Sequence, residues 1–537
     1  MVSGDGVDAG DTRETADAEG LEDTGGPVVT GSGEGAGVGS SESPAPGSGE
    51  ARPAPSPTGP EAAMPSVSAS VESGEEFAMP ATADSEVPVS SVAGAAPTEG
   101  LSAPSAAGPG KSPSVSVDSG ATAPVPAPTD PDPASPRPAA IAFAGVPYIV
   151  PRPVAELAPL LDWLRAGRPA GERLDFTVGT ALPDGRLDLC KQELGAAGAA
   201  LVAAALAQGP SPVRHLLLGT DGLGDEGAEV VAGGSGEVET LYLGCNGITA
   251  GGACRIADQL RASPQVVTGV WLKRNPLGSG GGRAAAELIE SARSLRTLDL
   301  VQTGIDPAGV VVLADALLAA AGNGRRIERL FIGGNPLGTD GAVPLAAVVA
   351  AGAIDELYVS AAQLGDAGAL LLADALERAP YGRLTRLSVA SNGIGPQGAA
   401  RLVTATTAAG VRLLDLGRVR AAAVLGAVDN HVDLRAAESI ARTLVAAEHR
   451  LTHLVLSHTG MRSREAHCLL DTAPRAVTPT RFVLGQGIAA SVKRRLEALT
   501  AHIPAPSLAP DVAAVRSVHR TARPGEAEDG VSDGPTP

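Results

Sequence analysis

The sequence predicts an α/β repeat solenoid, a long open array of strand–turn–helix units. Three observations predict it. The first is one unit complete in itself, Val238 to Leu260, VETLYLGCNGITAGGACRIADQL. Leu241 and Leu243 flank Tyr242 with the period of a half-buried strand. Asn246-Gly247 is a turn signal. Ile248 returns to the core, and Gly252, Ala253, Ile256, Ala257 and Leu260 recur at helical spacing. The second observation is recurrence. The first strand leucine has counterparts at Leu187, Leu216, Val270, Leu298, Leu330, Leu357, Leu387, Leu414 and Leu454, and a degenerate copy at Phe482. Most gaps are 25 to 32 residues. The third is register: five of the chain's six asparagines fall at one slot of the unit, Asn246, Asn275, Asn335, Asn392 and Asn430.

In chain order, residues 1–140 form a tail rich in Pro, Gly, Ser, Ala and acid, whose only aromatic residue is Phe77. Such a composition cannot bury enough apolar area to offset chain entropy, so disorder is expected. The tail holds 21 acidic and 4 basic residues, which accounts for nearly all of the formal charge of −19. The remainder is close to neutral and offers no general attraction to nucleic acid. Gly108–Ser112 (GPGKS) looks like the end of a phosphate-binding loop, but Ser105 stands where that motif needs glycine and the strand–helix context is missing. The first twenty residues lack an apolar stretch, so no secretory signal is expected. No run of about 18 apolar residues occurs, so no membrane span is expected. The four cysteines form no C-x-x-C pair and read as reduced cytoplasmic thiols.

Residues 141–183 read as an N-terminal cap. Leu157, Leu160, Leu161 and Leu164 share one helical face, and Leu174, Phe176 and Val178 alternate like a strand. The array itself spans 184–500. In the asparagine slot a side-chain amide can serve backbone groups that a tight turn leaves unpaired. Gln192, Asp221, Thr303 and Thr459 are polar substitutes there, and Ala362 is expected to be a weak point. Glycine recurs four residues after the turn leucine or isoleucine, as at Gly227, Gly252 and Gly398, where close helix packing needs a small residue. Extra residues near 418–428 should protrude from the rim. SVKRRLEAL suits a C-terminal cap, and 501–537 is a second tail with a possible short docked helix at 511–520.

The Leu-x-Leu, Asn-Gly-Ile or Asn-Pro-Leu, Gly-Ala and full-helix pattern from Asp184 to Leu499 resembles the ribonuclease-inhibitor type of leucine-rich repeat, shared with Ran GTPase-activating proteins and NOD-like receptor arrays. The resemblance implies a horseshoe of about ten or eleven repeats, with a parallel sheet inside, helices outside and protein partners bound on the inner face. It also implies an alternative function, activation of a small GTPase, although no catalytic arrangement for that can be placed on this sequence.

The residue between the two strand leucines faces the inner surface: Asp188, Leu217, Tyr242, Trp271, Asp299, Phe331, Tyr358, Ser388, Asp415 and Val455. Four of these ten are aromatic in a chain that is 2% aromatic. They fit two readings: exposed anchors of a binding surface, or cross-strand cover of neighbouring strands. The first is the expectation, with Tyr242, Trp271, Asp299, Phe331 and Tyr358 joined by the flanking charges Lys273, Arg274, Arg329, Glu356 and Arg386. The predicted function is a non-enzymatic scaffold that binds a protein or peptide on the concave face, with no cofactor, no metal, no nucleic acid and no membrane. The clustered histidines His431, His449, His453, His458 and His467 read as solvated rather than as a metal site. The acidic N-terminal tail is either plain solvated chain or a segment that folds over the basic inner-face residues.

Overall fold

The computed structural model describes residues 149–516. The expectations for the N-terminal tail, including its contact with the inner face, lie outside the described residues. Two short strands, β1 (Leu174–Asp175) and β2 (Thr180–Ala181), run antiparallel into β3 (Arg186–Asp188). From β3 onward every pairing is parallel and every neighbour is the next strand in sequence. The succession is β4 (His215–Leu217), β5 (Thr240–Tyr242), β6 (Gly269–Trp271), β7 (Thr297–Asp299) and β8 (Arg329–Phe331). It continues through β9 (Glu356–Tyr358), β10 (Arg386–Ser388), β11 (Leu413–Asp415), β12 (His453–Leu456) and β13 (Arg481–Leu484). Register places Leu187, Leu216, Leu241 and Val270 side by side, and so on to Phe482. The chain is therefore an α/β repeat solenoid with an open sheet.

Helix α1 (Ala158–Ala166) covers the first end, with Leu160, Leu161 and Leu164 buried. The expected strand over Leu174–Val178 is instead a hairpin: the chain turns after Asp175, and Phe176 packs against Trp163 at 5.6 Å between ring centres. One helix then follows each strand from β3 to β12. These are α2 (Gly195–Leu206), α3 (Gly224–Gly233), α4 (Ala250–Ala262), α5 (Gly281–Ser291) and α6 (Pro307–Gly322). The rest are α7 (Gly338–Ala350), α8 (Gly365–Arg378), α9 (Pro396–Ala409), α10 (Leu434–Ala446) and α11 (Ser463–Thr472). After β13 come α12 (Ala490–Leu499) and a last short helix, α13 (Pro510–Arg516). The strand leucines and the apolar stripes of α2–α12 form one continuous core between sheet and helices. Strands stack about 4.8 Å apart, whereas packed helices need about 8–10 Å. Stacking them in pairs therefore curls the array with the sheet on its concave side.

The asparagine slot is a hydrogen-bonded ladder. Asn246 Oδ1 accepts from the Asp221 amide at 2.9 Å, and its Nδ2 donates to the Leu243 carbonyl at 3.0 Å. Asn275 repeats this on the Asn246 and Ile248 amides, and Asn430 on those of Asn392 and Ile394. At Ala362, which has no side chain to give, the backbone carbonyl takes the Leu337 amide at 3.1 Å, a role that Asn392 Oδ1 fills for the Leu364 amide. The expected weak point is thus partly compensated.

At Gly227 and Gly368 the recurrent glycine leaves room for the neighbouring helix, where a Cβ would lie 3.1 Å from Ala196 Cα and 3.3 Å from Ala342 Cβ, but at two positions it has a further cause. A Cβ on Gly252 would lie 2.2 Å from Asp225 Oδ1, the atom that accepts the Thr249 amide at 2.7 Å. Gly398 stands in the same relation to Asp366, whose Oδ1 accepts the Gly395 amide at 2.8 Å. An acid at the start of one helix ties down the start of the next, and the glycine leaves it room. The segment between β11 and α10 carries the rim insertion, where Val424 and Val428 are exposed.

Candidate interaction face

The sheet face away from the helices carries the residues that sequence periodicity placed there. Register lines up Leu217, Tyr242, Trp271, Asp299, Phe331 and Tyr358 across β4 to β9. Phe331 stacks on Tyr358 at 4.3 Å with the rings 7° from parallel, and Trp271 tilts against Phe331 at 5.2 Å. Asp299 lies between Trp271 and Phe331 in strand order, yet those two rings still meet. The Tyr242 ring packs on Gly219, where a Cβ would fall 2.6 Å from its Cε1.

These aromatics are not exposed. Trp271 and Phe331 are each 1% accessible and Tyr242 is 6%. The cover is the chain's own C-terminal segment. After α12 the backbone turns back and crosses the sheet against strand order. Arg481 on β13 donates to the Ile503 carbonyl at 3.3 Å, and Arg386 on β10 donates to that of Ser507. Arg329 on β8 meets Asp511 Oδ1 at 3.4 Å. Helix α13 then reaches as far as β4. Val512 and Val515 complete an apolar cluster with Cys190, Leu217, Tyr242, Trp271 and Phe331, which Tyr358, Val301 and Ala509 border. The geometry is economical. Five strand spacings from β13 to β8 amount to about 24 Å, and eight extended residues reach about 26–29 Å. As far as it is described α13 spans about two turns, and helices shorter than about 12–15 residues are marginal in water, so packing on the sheet beneath stabilises it.

The flanking charges are engaged as well. Arg329 donates to Thr297 Oγ1 at 2.8 Å and pairs with Glu328 at 3.0 Å. Glu356 accepts the Tyr358 hydroxyl at 2.8 Å and sits 3.5 Å from Arg386. Burial, with the Glu356 carboxylate beside it, holds the Tyr358 phenol in its neutral form. Arg274 donates to Gln302 Oε1 at 2.9 Å. Asp299 Oδ1 accepts the Val301 amide at 2.8 Å, and burial pushes its carboxyl up to about 6, against the pull of Lys273 and Arg274. Asp188 and Asp415 make the same bond two residues ahead, to Cys190 and Gly417, so the acid at this position ties the strand end wherever it occurs.

Residue placement on the face was legible from period-2 alternation; its cover was not. Asp511, Val512 and Val515 were the residues missed. Their signal is small: a proline opening a helix, an acid in its first turn, and two valines three apart. The expected helix at 511–520 is α13, at 510–516, and the chain beyond 516 lies outside the described residues. Among the described residues no group of three or more His, Cys, Asp or Glu could hold a metal ion, and no helix is long and apolar enough to cross a membrane.

The family model described as Leucine Rich repeat matches residues 291–314 and 384–403. These two stretches carry β7 with the start of α6, and β10 with the start of α9, in the same register as their neighbours.

Two units of the array thus match a leucine-rich-repeat model.

The crystal structure of the Rad7 and Elc1 complex in yeast contains a chain 13% identical to this one, matched over 64% of this chain and 86% of that chain with a TM-score of 0.36. No curated protein matches the chain. In this α/β repeat solenoid the frame common to the units consists of the strand leucines, the asparagine ladder and the helix-start glycines. The inner-face aromatics and the segment lying on them stand outside that repeating frame.

Proposed function

We propose that this leucine-rich-repeat protein is a non-enzymatic scaffold that holds a segment of a protein partner on its concave sheet face. The observation that carries the reading is the aromatic strip of Tyr242, Trp271, Phe331 and Tyr358, already seating a short helix whose Asp511 meets Arg329. Aromatic and arginine side chains in desolvated, water-excluding positions dominate binding energy at interfaces. The face is preformed on a rigid sheet, so little ordering cost falls on the scaffold. A full α-helix in every unit supports the ribonuclease-inhibitor-type subclass. Four free cysteines fit a reducing compartment such as the cytoplasm.

The test is affinity capture with the full chain against Trp271→Ala/Tyr358→Ala, with Arg401→Ala on the helix side as control. Arg401 pairs with Asp374 and Glu377 on the surface of α8. Loss of a specific captured protein in the double variant, with retention by the control and matched cooperative melting of the array, supports the reading. Equal capture by all three overturns it.

A further inference from the structure

The C-terminal segment does more than close the face. We infer that residues 501–516 are a displaceable occupant, and that the face accepts from a partner a short amphipathic helix of the same chemistry: an acid in the first turn, then aliphatic side chains one and four positions later. The inference rests on the proposed concave-face binding and names the form its ligand takes.

Four observations carry it. First, the approach to the helix is held through main-chain carbonyls. Arg481 and Arg386 contact the carbonyls of Ile503 and Ser507, contacts that any extended peptide can make. Side-chain specificity is concentrated in Asp511, Val512 and Val515, buried on Arg329 and the aromatic cluster. Second, α13 is a short helix at the end of the described chain, stabilised by its packing on the sheet, so undocking is a local event that leaves the repeat core intact. Third, the fit is incomplete. Trp271 Nε1 and Asp511 Oδ2 are buried without a hydrogen-bond partner among the described residues. Each lies 3.4 Å from where a Cβ on Gly269 would stand. A partner helix whose first-turn acid reached the indole would satisfy the donor that Asp511 leaves open. Fourth, departure of the segment uncovers a contiguous strip of rings, a surface that favours being covered again.

Tethering makes the internal occupant a strong competitor. Covalent attachment gives a short segment an effective concentration in the millimolar range, so an external helix of equal intrinsic affinity is excluded until the tethered copy is weakened.

The test uses the full chain with Trp163→Phe, which leaves Trp271 as the sole tryptophan, and a labelled synthetic peptide of residues 503–518 as the probe. In the otherwise unchanged chain, Trp271 is expected to be shielded from acrylamide and the peptide to bind poorly. With Val512→Asp/Val515→Asp added, quenching of Trp271 rises, the peptide binds at least about tenfold more tightly, and the array melts as before. A peptide carrying the same two aspartates binds neither chain. As a second route, Asp511→Lys loosens the segment, and Arg329→Glu added to it restores the cover. Peptide affinity equal in the two chains, or a Trp271 that stays shielded when both valines are aspartates, overturns the inference. The broader reading is judged separately. If the peptide fails while capture of a partner still depends on Trp271 and Tyr358, only the displaced-helix form is wrong.

Discussion

Asp511 Oδ1 lies 3.4 Å from Arg329 Nη2, across 182 residues of sequence, with both side chains about 10% exposed. This pair joins the end of the described chain to the middle of the sheet. Arg329 is oriented for it by Thr297 and Glu328, so the guanidinium is positioned before Asp511 arrives. Truncating Asp511 to alanine should leave the array's melting unchanged and speed exchange of the Ala513 amide, which donates to the Ala509 carbonyl at 2.8 Å. A loss of about 1–2 kcal/mol corresponds to roughly 5- to 30-fold faster opening of α13. Hydrogen exchange resolved to residues 509–516 checks this.

Asp221→Asn should stabilise the array. Asp221 occupies an asparagine slot and its Oδ1 accepts the Gln192 amide at 2.8 Å, but its buried Oδ2 has no partner among the described residues. Burial pushes this carboxyl well above the ordinary range. An amide there supplies the donor that Asn246 directs at the Leu218 and Leu243 carbonyls. A gain of about 1–2 kcal/mol is expected at neutral pH, shrinking in acid. Urea unfolding at two pH values measures it.

Asp299 sets a pH dependence with a definite sign. Its folded carboxyl is raised to about 6 from an ordinary value of 3.8, chiefly by burial. A raised acid favours the folded state when protonated, so its contribution is full below the ordinary value and is lost as pH rises through about 6. The carboxylate then costs about 3 kcal/mol at neutral pH. Asp299→Asn keeps an oxygen for the Val301 amide and removes that cost. The variant should gain on wild type between pH 4 and 7, by roughly 1–3 kcal/mol. A difference in stability that is flat across this range contradicts the assignment.

Gly252→Ala should destabilise the array by about 1–3 kcal/mol, because the new methyl meets Asp225 Oδ1 and breaks its bond to the Thr249 amide. Asp225→Ala in the same chain removes the clash. The double variant should therefore cost less than the sum of the two single changes, a coupling that a thermal-unfolding cycle reads directly.

Much of the fold was legible because a repeat states its register many times. Leu241, Asn246 and Gly252 each have counterparts at fixed offsets, so one misassigned position is corrected by the others. Inner-face placement of Trp271 and Tyr358 followed from strand alternation alone. The cover on them was not legible. The segment 501–516 occurs once and has no repeat to betray it, and its contacts with Arg329 and Arg386 join positions more than a hundred residues apart. The rings therefore read as exposed when they are buried. The role of Asp225 beneath Gly252 was hidden similarly: its partner sits on the neighbouring unit, and only the small residue left a trace in the pattern.

The central claim is that a protein partner docks on the concave face where α13 now lies. Its most direct measurement is site-specific photocrosslinking in the full chain, with benzoylphenylalanine replacing Tyr242 on the inner face or Arg401 on the helix side. An intermolecular adduct from position 242, strengthened by Val512→Asp/Val515→Asp and absent from position 401, is the expected result. Adducts from position 401 alone, with none from 242 even when the segment is unseated, would contradict the account.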